Sequence, residues 1–251
     1  MNPAQHFQRY FDVCKADSRD SQEQAFRIRY QVYCREFGYE AEENCPDGRE
    51  RDEYDNHSRH SLLIHKGSQH PVGCVRLVEA NPLAPELPLP FERHCAAALD
   101  RHRFDPDEFL PGQVAEFSRL AVVAGLRRRH SDQGREINLP QQTLEQRQRR
   151  GRFPVIPVSL LLAALSMLMA SDADYGVAML DPQLAQQLRQ FGIHFERVGK
   201  TIDYQGPRAP YLIHRDNALR YLRDGVGELF FEINRSLYQR PEFANPCAAR
   251  A

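Results

Sequence analysis

The chain has 251 residues, a formal net charge of -1 at pH 7, and a 41% share of hydrophobic residues. That length allows one large domain with its own core, and the balanced charge argues against bulk nucleic-acid binding. The most apolar stretch, Val155 to Ala170, is interrupted by Pro157, Ser159 and Ser166. It falls short of the ~20 residues of a membrane span and reads as a buried helix.

Residues 1–20 are read as an N-terminal helix without the apolar core of a secretory signal. Phe26, Tyr30 and Tyr33 recur at helical spacing, which predicts a helix from Ser21 to the stop signal Gly38. Glu40 to Asp55 is acidic and turn-rich, a loop. Ser61–His65 and Val72–Val78 read as strands joined by a hairpin over Lys66–Pro71. Prolines 85, 88 and 90 keep Leu83–Pro90 extended, and a short helix follows over Phe91–Leu99. Val114–Val123 is the next strand.

Residues 124–153 form an arginine-rich insertion with little apolar periodicity. After it come a helix over Pro157–Ser171, a strand at Tyr175–Leu180 and a helix at Pro182–Phe191. Strands at Phe195–Val198, Thr201–Tyr204 and Tyr211–His214 precede a final helix, Asn217–Arg240, within a C-terminal extension spanning 200–251. The expected fold is a single α/β domain: a central mixed, twisted sheet with helices on both faces and a helical C-terminal extension. The six cysteines show neither C-x-x-C nor metal-ligand spacing, which suits a reducing cytoplasm. Clustered His57, His60, His65 and His70 also lack such spacing, so no metal site is expected.

Charge recurs inside segments that otherwise read as helix face or strand: Arg29 with Val32-Tyr33, Glu50-x-Asp52-x-Tyr54-Asp55, Gly73-x-x-Arg76-Leu77, and Glu116-x-Ser118-Arg119. Burying such groups is costly unless they pair, so four separated segments point to one shared polar network. In this order the segments resemble the acyl-homoserine-lactone (autoinducer) synthase branch of the GNAT acyltransferase fold. Phe91, fifteen residues after Arg76, falls where that family places a phenylalanine. The family's tryptophan is Tyr39 here. The basic insertion and the segment Asp203–Tyr211 are more similar to the exosortase-associated (PEP-CTERM system) acyltransferases, relatives of N-acyl amino acid synthases.

The resemblance implies fatty acyl transfer from an acyl carrier protein or coenzyme A thioester to the amine of an amino acid, with no permanently bound cofactor. Glu116 would accept the ammonium proton, or else brace the sheet, and Arg119 would act beside it. Arg29, Arg76 and Arg119 could grip an acceptor carboxylate, since guanidinium is a bidentate fork. The alternative is an internal network with Asp52 and Asp55. Asp52, Asp55, Tyr33, Tyr39, Phe91 and Ser118 complete the implied substrate site. Backbone N–H groups around Leu120, Ala121 and Val122 would polarise the thioester. Ala124-Gly125-Leu126-Arg127-Arg128-Arg129 is a poor phosphate-binding turn. Arg127, Arg128 and Arg129 suit an acidic acyl carrier protein better, unless the tract is only a solvated surface. An acyl-homoserine-lactone synthase using S-adenosylmethionine and a non-catalytic acyl-chain or carrier-protein binding module are the other readings. Val155–Met169 with Phe91 would line an acyl tunnel or simply fill the core.

Overall fold

A computed structural model describes residues 2–127 and 154–239 of the chain. The chain opens with helix α1 (Pro3–Tyr10), started by the Asn2 side chain accepting from the Ala4 N–H, with proline in the first turn. It does not run on to residue 20. Phe11 turns the backbone extended, and β1 (Phe11–Lys15) joins the sheet edge, antiparallel to β2 (Ser58–His65). Phe11 and Val13 pack into one core layer and Cys14 into the other, the period of two that a doubly covered strand requires.

Helix α2 (Arg19–Arg29) begins at a capping box formed by Ser18 and Ser21. The predicted single helix to Gly38 changes character midway, because Tyr30–Glu36 winds as a π-helical turn. Such wide turns re-aim side chains and are frequent at functional sites. The acidic loop contains two short 3₁₀ turns, Glu42–Asn44 and Glu53–His57. β3 (His70–Val78), α3 (Pro90–Cys95), β4 (Val114–Val122) and α4 (Ala124–Arg127) follow. After the gap come α5 (Val155–Met169), β5 (Tyr175–Leu180), α6 (Pro182–Gln190), the two-residue strands β6 (Glu196–Arg197) and β7 (Ile202–Asp203), β8 (Pro207–His214), and α7 (Asp224–Tyr238). The expected final helix therefore starts later than Asn217, after a 3₁₀ turn at Arg215–Asn217.

The strands run in the order β1-β2-β3-β4-β5-β8-β6, with β7 on β8. Among the described strands only the β4–β5 pair is parallel, so those two strands need a crossover, and α5 lies on that connection. Helix α5 is apolar nearly all round and packs with α1 and α7 on one sheet face, while α2 covers the other. No helix among the described residues is long and apolar enough to cross a membrane.

Candidate active site

The polar segments meet on one wall. Arg29 at the end of α2 donates from Nε to Glu50 at 2.5 Å and from Nη1 to Asp55 at 2.6 Å. Arg76 on β3 donates to Asp52 at 2.5 Å, to Asp55 at 2.7 Å, and from Nε to Ser118 Oγ at 3.0 Å. Arg119 completes the set, with Nη2 at 3.1 Å from Glu50 and 3.2 Å from Asp52. Three guanidiniums thus face three carboxylates, and their formal charges cancel. Burial alone would raise the Asp55 carboxyl, but the charges of Arg29 and Arg76 overcome it and hold it below the usual range. Burial likewise opposes ionisation of Glu50, and Arg29 and Arg119 reverse that too.

The wall ends at a break in β4. Its register against β3 slips between Cys74↔Ala121 and Arg76↔Ser118, leaving Arg119 and Leu120 without register partners. Arg119 takes a left-handed backbone, with φ of 51°, as a bulge residue can. Tyr33, on the π-helical turn, donates its hydroxyl to the Leu120 carbonyl at 3.1 Å. On the other side, β4 pairs with β5 only as far as Phe117↔Ala178. The Phe117 ring fits there because Gly176 has no Cβ, which would sit 2.5 Å from it.

A cavity of about 520 Å³ occupies this split and is lined by Ser118, Arg119 and Leu120 of β4 and by Met179 and Leu180 of β5. Glu116 contributes to its lining. Its carboxylate accepts the Phe91 N–H at 2.7 Å and has no arginine within salt-bridge distance among the described residues. Burial raises it to about 7, against that hydrogen bond and the more distant charges of Arg76 and Arg119. Farther along, the cavity becomes apolar. Pro154, Pro157, Val158 and Leu161 form one stripe, at and along α5, and Leu184, Leu188 and Phe191 form another at the α6 side. Both follow the three- and four-residue spacing of a single helix face.

Residues 28–134 match the model of the acetyltransferase (GNAT) domain. A search of curated protein sequences finds no match. Among solved structures, the chain is similar to the acyl-homoserine-lactone synthase LasI, with a TM-score of 0.55 and 17% identity over 84% of this chain and 93% of that one. It is also similar to BjaI, a CoA-dependent acyl-homoserine lactone synthase, with a TM-score of 0.58 and 15% identity over 95% and 98% of the two chains. FeeM, an N-acyl amino acid synthase from uncultured soil microbes, gives 0.53 and 14% over 84% and 94%.

The chain has the GNAT fold.

Within that GNAT framework the expected site residues separate into two groups. Tyr33, Tyr39, Asp52, Phe91, Glu116, Ser118, Arg119 and Leu120 all line the cavity. Arg29, Asp55 and Arg76 do not. They stand behind its wall, the two arginines fully buried and occupied by carboxylates, so the carboxylate-gripping role expected of them is replaced by an internal one. Ala121 and Val122 are back in register with β3, which confines the out-of-register backbone of β4 to Arg119 and Leu120. Arg127 ends α4, and Arg128 and Arg129, with the rest of the insertion to residue 153, lie outside the described residues. Tyr39 stacks on Phe37 with ring centroids 5.1 Å apart. Cys74 is buried, and burial pushes its thiol up to about 12, as befits a core residue.

Sequence reasoning passed over Arg93, Tyr204, Arg208 and the α6 stripe, all of which line the cavity. Arg93 pairs with Glu53, whereas among the described residues the Arg208 guanidinium meets Asp181 at 3.9 Å and the Pro207 carbonyl at 3.3 Å. The Asp203–Tyr211 segment carried the signal for Tyr204 and Arg208, and nothing in it marked them as facing a site.

Proposed function

We propose that this GNAT-fold chain moves a fatty acyl group from an acyl carrier protein or coenzyme A thioester to the amine of an amino acid, giving an N-acyl amino acid. The observation that carries the reading is Glu116: a buried carboxyl, raised to about 7, in a cavity that is charged at one end and apolar at the other. A base poised near the working pH takes the ammonium proton of the acceptor. The freed amine attacks the thioester carbon, and the developing oxyanion is held by backbone N–H groups at the Arg119–Leu120 break. The C–S bond then breaks, and the proton still carried by the new amide nitrogen passes to the departing thiolate, which leaves with the carrier as a thiol. Arg119, which reaches the cavity from the charged wall, and the loosely held Arg208 are the cations available to the acceptor carboxylate. The stripes from α5 and α6 would enclose the acyl chain. FeeM supports the amino-acid acceptor by its fold, as BjaI supports a coenzyme A donor.

The test is mass spectrometry of products after incubating the purified protein with a ladder of acyl thioesters on both carriers, an amino-acid mixture and S-adenosylmethionine. An N-acyl amino acid is expected and names both substrates at once. An acyl lactone would make the chain a signal synthase, and acyl-chain binding without any product would make it a binding module.

A further inference from the structure

The Asp203–Tyr211 segment lies beyond the residues that match the acetyltransferase domain, yet it delivers Tyr204 and Arg208 to the cavity. Arg93, Arg119 and Arg208 all line that cavity, and they differ in what they already hold. Arg93 pairs with Glu53. Arg119 is bonded to both Glu50 and Asp52, and a carboxylate approaching it would also meet Asp52 on the same wall. For Arg208 the nearest carboxylate among the described residues is Asp181, at 3.9 Å. Asp181 is itself engaged as the α6 cap: its Oδ1 accepts the Gln183 N–H at 2.7 Å, where the positive end of the helix offsets its charge. The Arg208 side chain is 20% exposed, against 1% for Arg29 and Arg76, so a ligand can reach it.

Strand register puts Arg208 on the side of the base. Leu212 of β8 pairs with Val177 of β5, and Val177 with Glu116 of β4. Arg208 lies four residues before Leu212, so it shares the sheet face of Glu116, where α3 presents the Phe91 N–H. The helices α5 and α6 pack on the opposite face, with Phe117, Ala178 and Tyr211. An acceptor held between Glu116 and Arg208 therefore leaves the apolar limb to the acyl chain. A guanidinium is a fork that matches two carboxylate oxygens. We propose that Arg208 binds the carboxylate of the acceptor, so that the site selects its acceptor by a free carboxylate and not by the amine alone. This rests on the acyl-transfer reading of the cavity, and it puts acceptor recognition on a segment outside the matched domain.

The experiment compares, on one acyl thioester, an accepted amino acid with its amide and with the amine left by removing the carboxylate. Wild-type kcat/KM is expected to favour the amino acid by at least ~10-fold, the lower end of what a hydrogen bond to a charged group contributes. Arg208→Gln is expected to remove most of that ratio by raising the KM for the amino acid. Arg208→Lys keeps the charge without the fork and should retain part of it. Arg208→Glu should reverse the preference, taking a diamine of equal length over the amino acid. Saturation-transfer NMR of the free amino acid on wild type and on each variant gives the same comparison without turnover. A wild type that uses the amide and the amine as readily as the amino acid overturns the inference. So does a ratio that survives in Arg208→Gln, or one that is lost only in Arg119→Gln. Amino-acid binding that depends on Arg208, with no transfer from any thioester, would sink the acyl-transfer reading and leave the role of Arg208 standing.

Discussion

Glu50 and Glu116 are the same residue type and both buried, yet their carboxyls shift in opposite directions. Glu50 sits in the charged wall, where Arg29 and Arg119 more than offset the cost of burial. Glu116 sits two residues before the β4 break with a backbone N–H as its direct partner, and burial prevails. Both are desolvated, but only Glu116 lacks a guanidinium in contact, and that difference makes one a strut and the other a candidate base. The charged wall consumes arginines that the sequence offers as substrate ligands. It keeps their charge balanced and away from Glu116, which lets that carboxyl titrate near neutrality.

The largest test of this division removes the strut. Glu50→Gln leaves Arg29 and Arg119 short of a buried counter-charge and is expected to cost ~3–5 kcal/mol of stability at pH 7. Because the folded Glu50 carboxyl lies below its unfolded value, its contribution is present above the unfolded pKa, about 4.3, and is lost as pH falls through the folded one. The deficit of the variant, measured by urea unfolding, should therefore shrink in acid. A variant as stable as wild type at pH 7 would mean that the wall is not held by charge pairing.

Glu116→Gln should do the reverse. Acyl transfer is expected to fall at least ~100-fold, the lower end of what a positioned acid–base group supplies. Stability at pH 8 should rise, by up to ~3 kcal/mol. The folded carboxyl titrates at about 7, above its unfolded value, so the folded protein binds the extra proton and loses stability as pH rises through about 7. The rate of the wild-type enzyme should climb with pH below about 7 and level off above it. A brace would give the opposite pair of results: an unchanged rate and a less stable variant at every pH.

Much of the frame on which this contrast rests was legible in the chain. The hairpin strands Ser61–His65 and Val72–Val78, the strand through Glu116, the apolar helix at 155 and the helix opened by Pro182 all fall where the sequence places them. The edge strand β1 was hidden because Phe11–Lys15 carries Asp12 and Lys15 in a stretch that reads as polar, and only pairing with β2 makes it a strand. The π-helical turn was hidden because its apolar spacing continues that of α2. Within the site, residue types revealed that Arg29, Arg76 and Arg119 need carboxylate partners. They could not reveal whether those partners belong to the protein or to a substrate, since both satisfy the same fork. That distinction depends on Glu50, Asp52 and Asp55 reaching the arginines from a loop whose path no local pattern encodes.

The smallest effect concerns the junction between the two regions. Tyr33 carries Arg119 over its ring, 5.6 Å from the centroid, and holds the Leu120 carbonyl through its hydroxyl. Burial keeps that hydroxyl a phenol throughout the working range. Tyr33→Phe retains the ring under Arg119 and deletes only the bond to the bulge. One neutral hydrogen bond contributes ~1 kcal/mol, so kcat should fall about fivefold. The KM for the amino acid should hardly move, because the charged wall stays intact. An unchanged kcat would show that the register slip against β3 fixes the bulge by itself. A raised KM with kcat intact would instead assign Tyr33 to acceptor binding, on the charged side of the division.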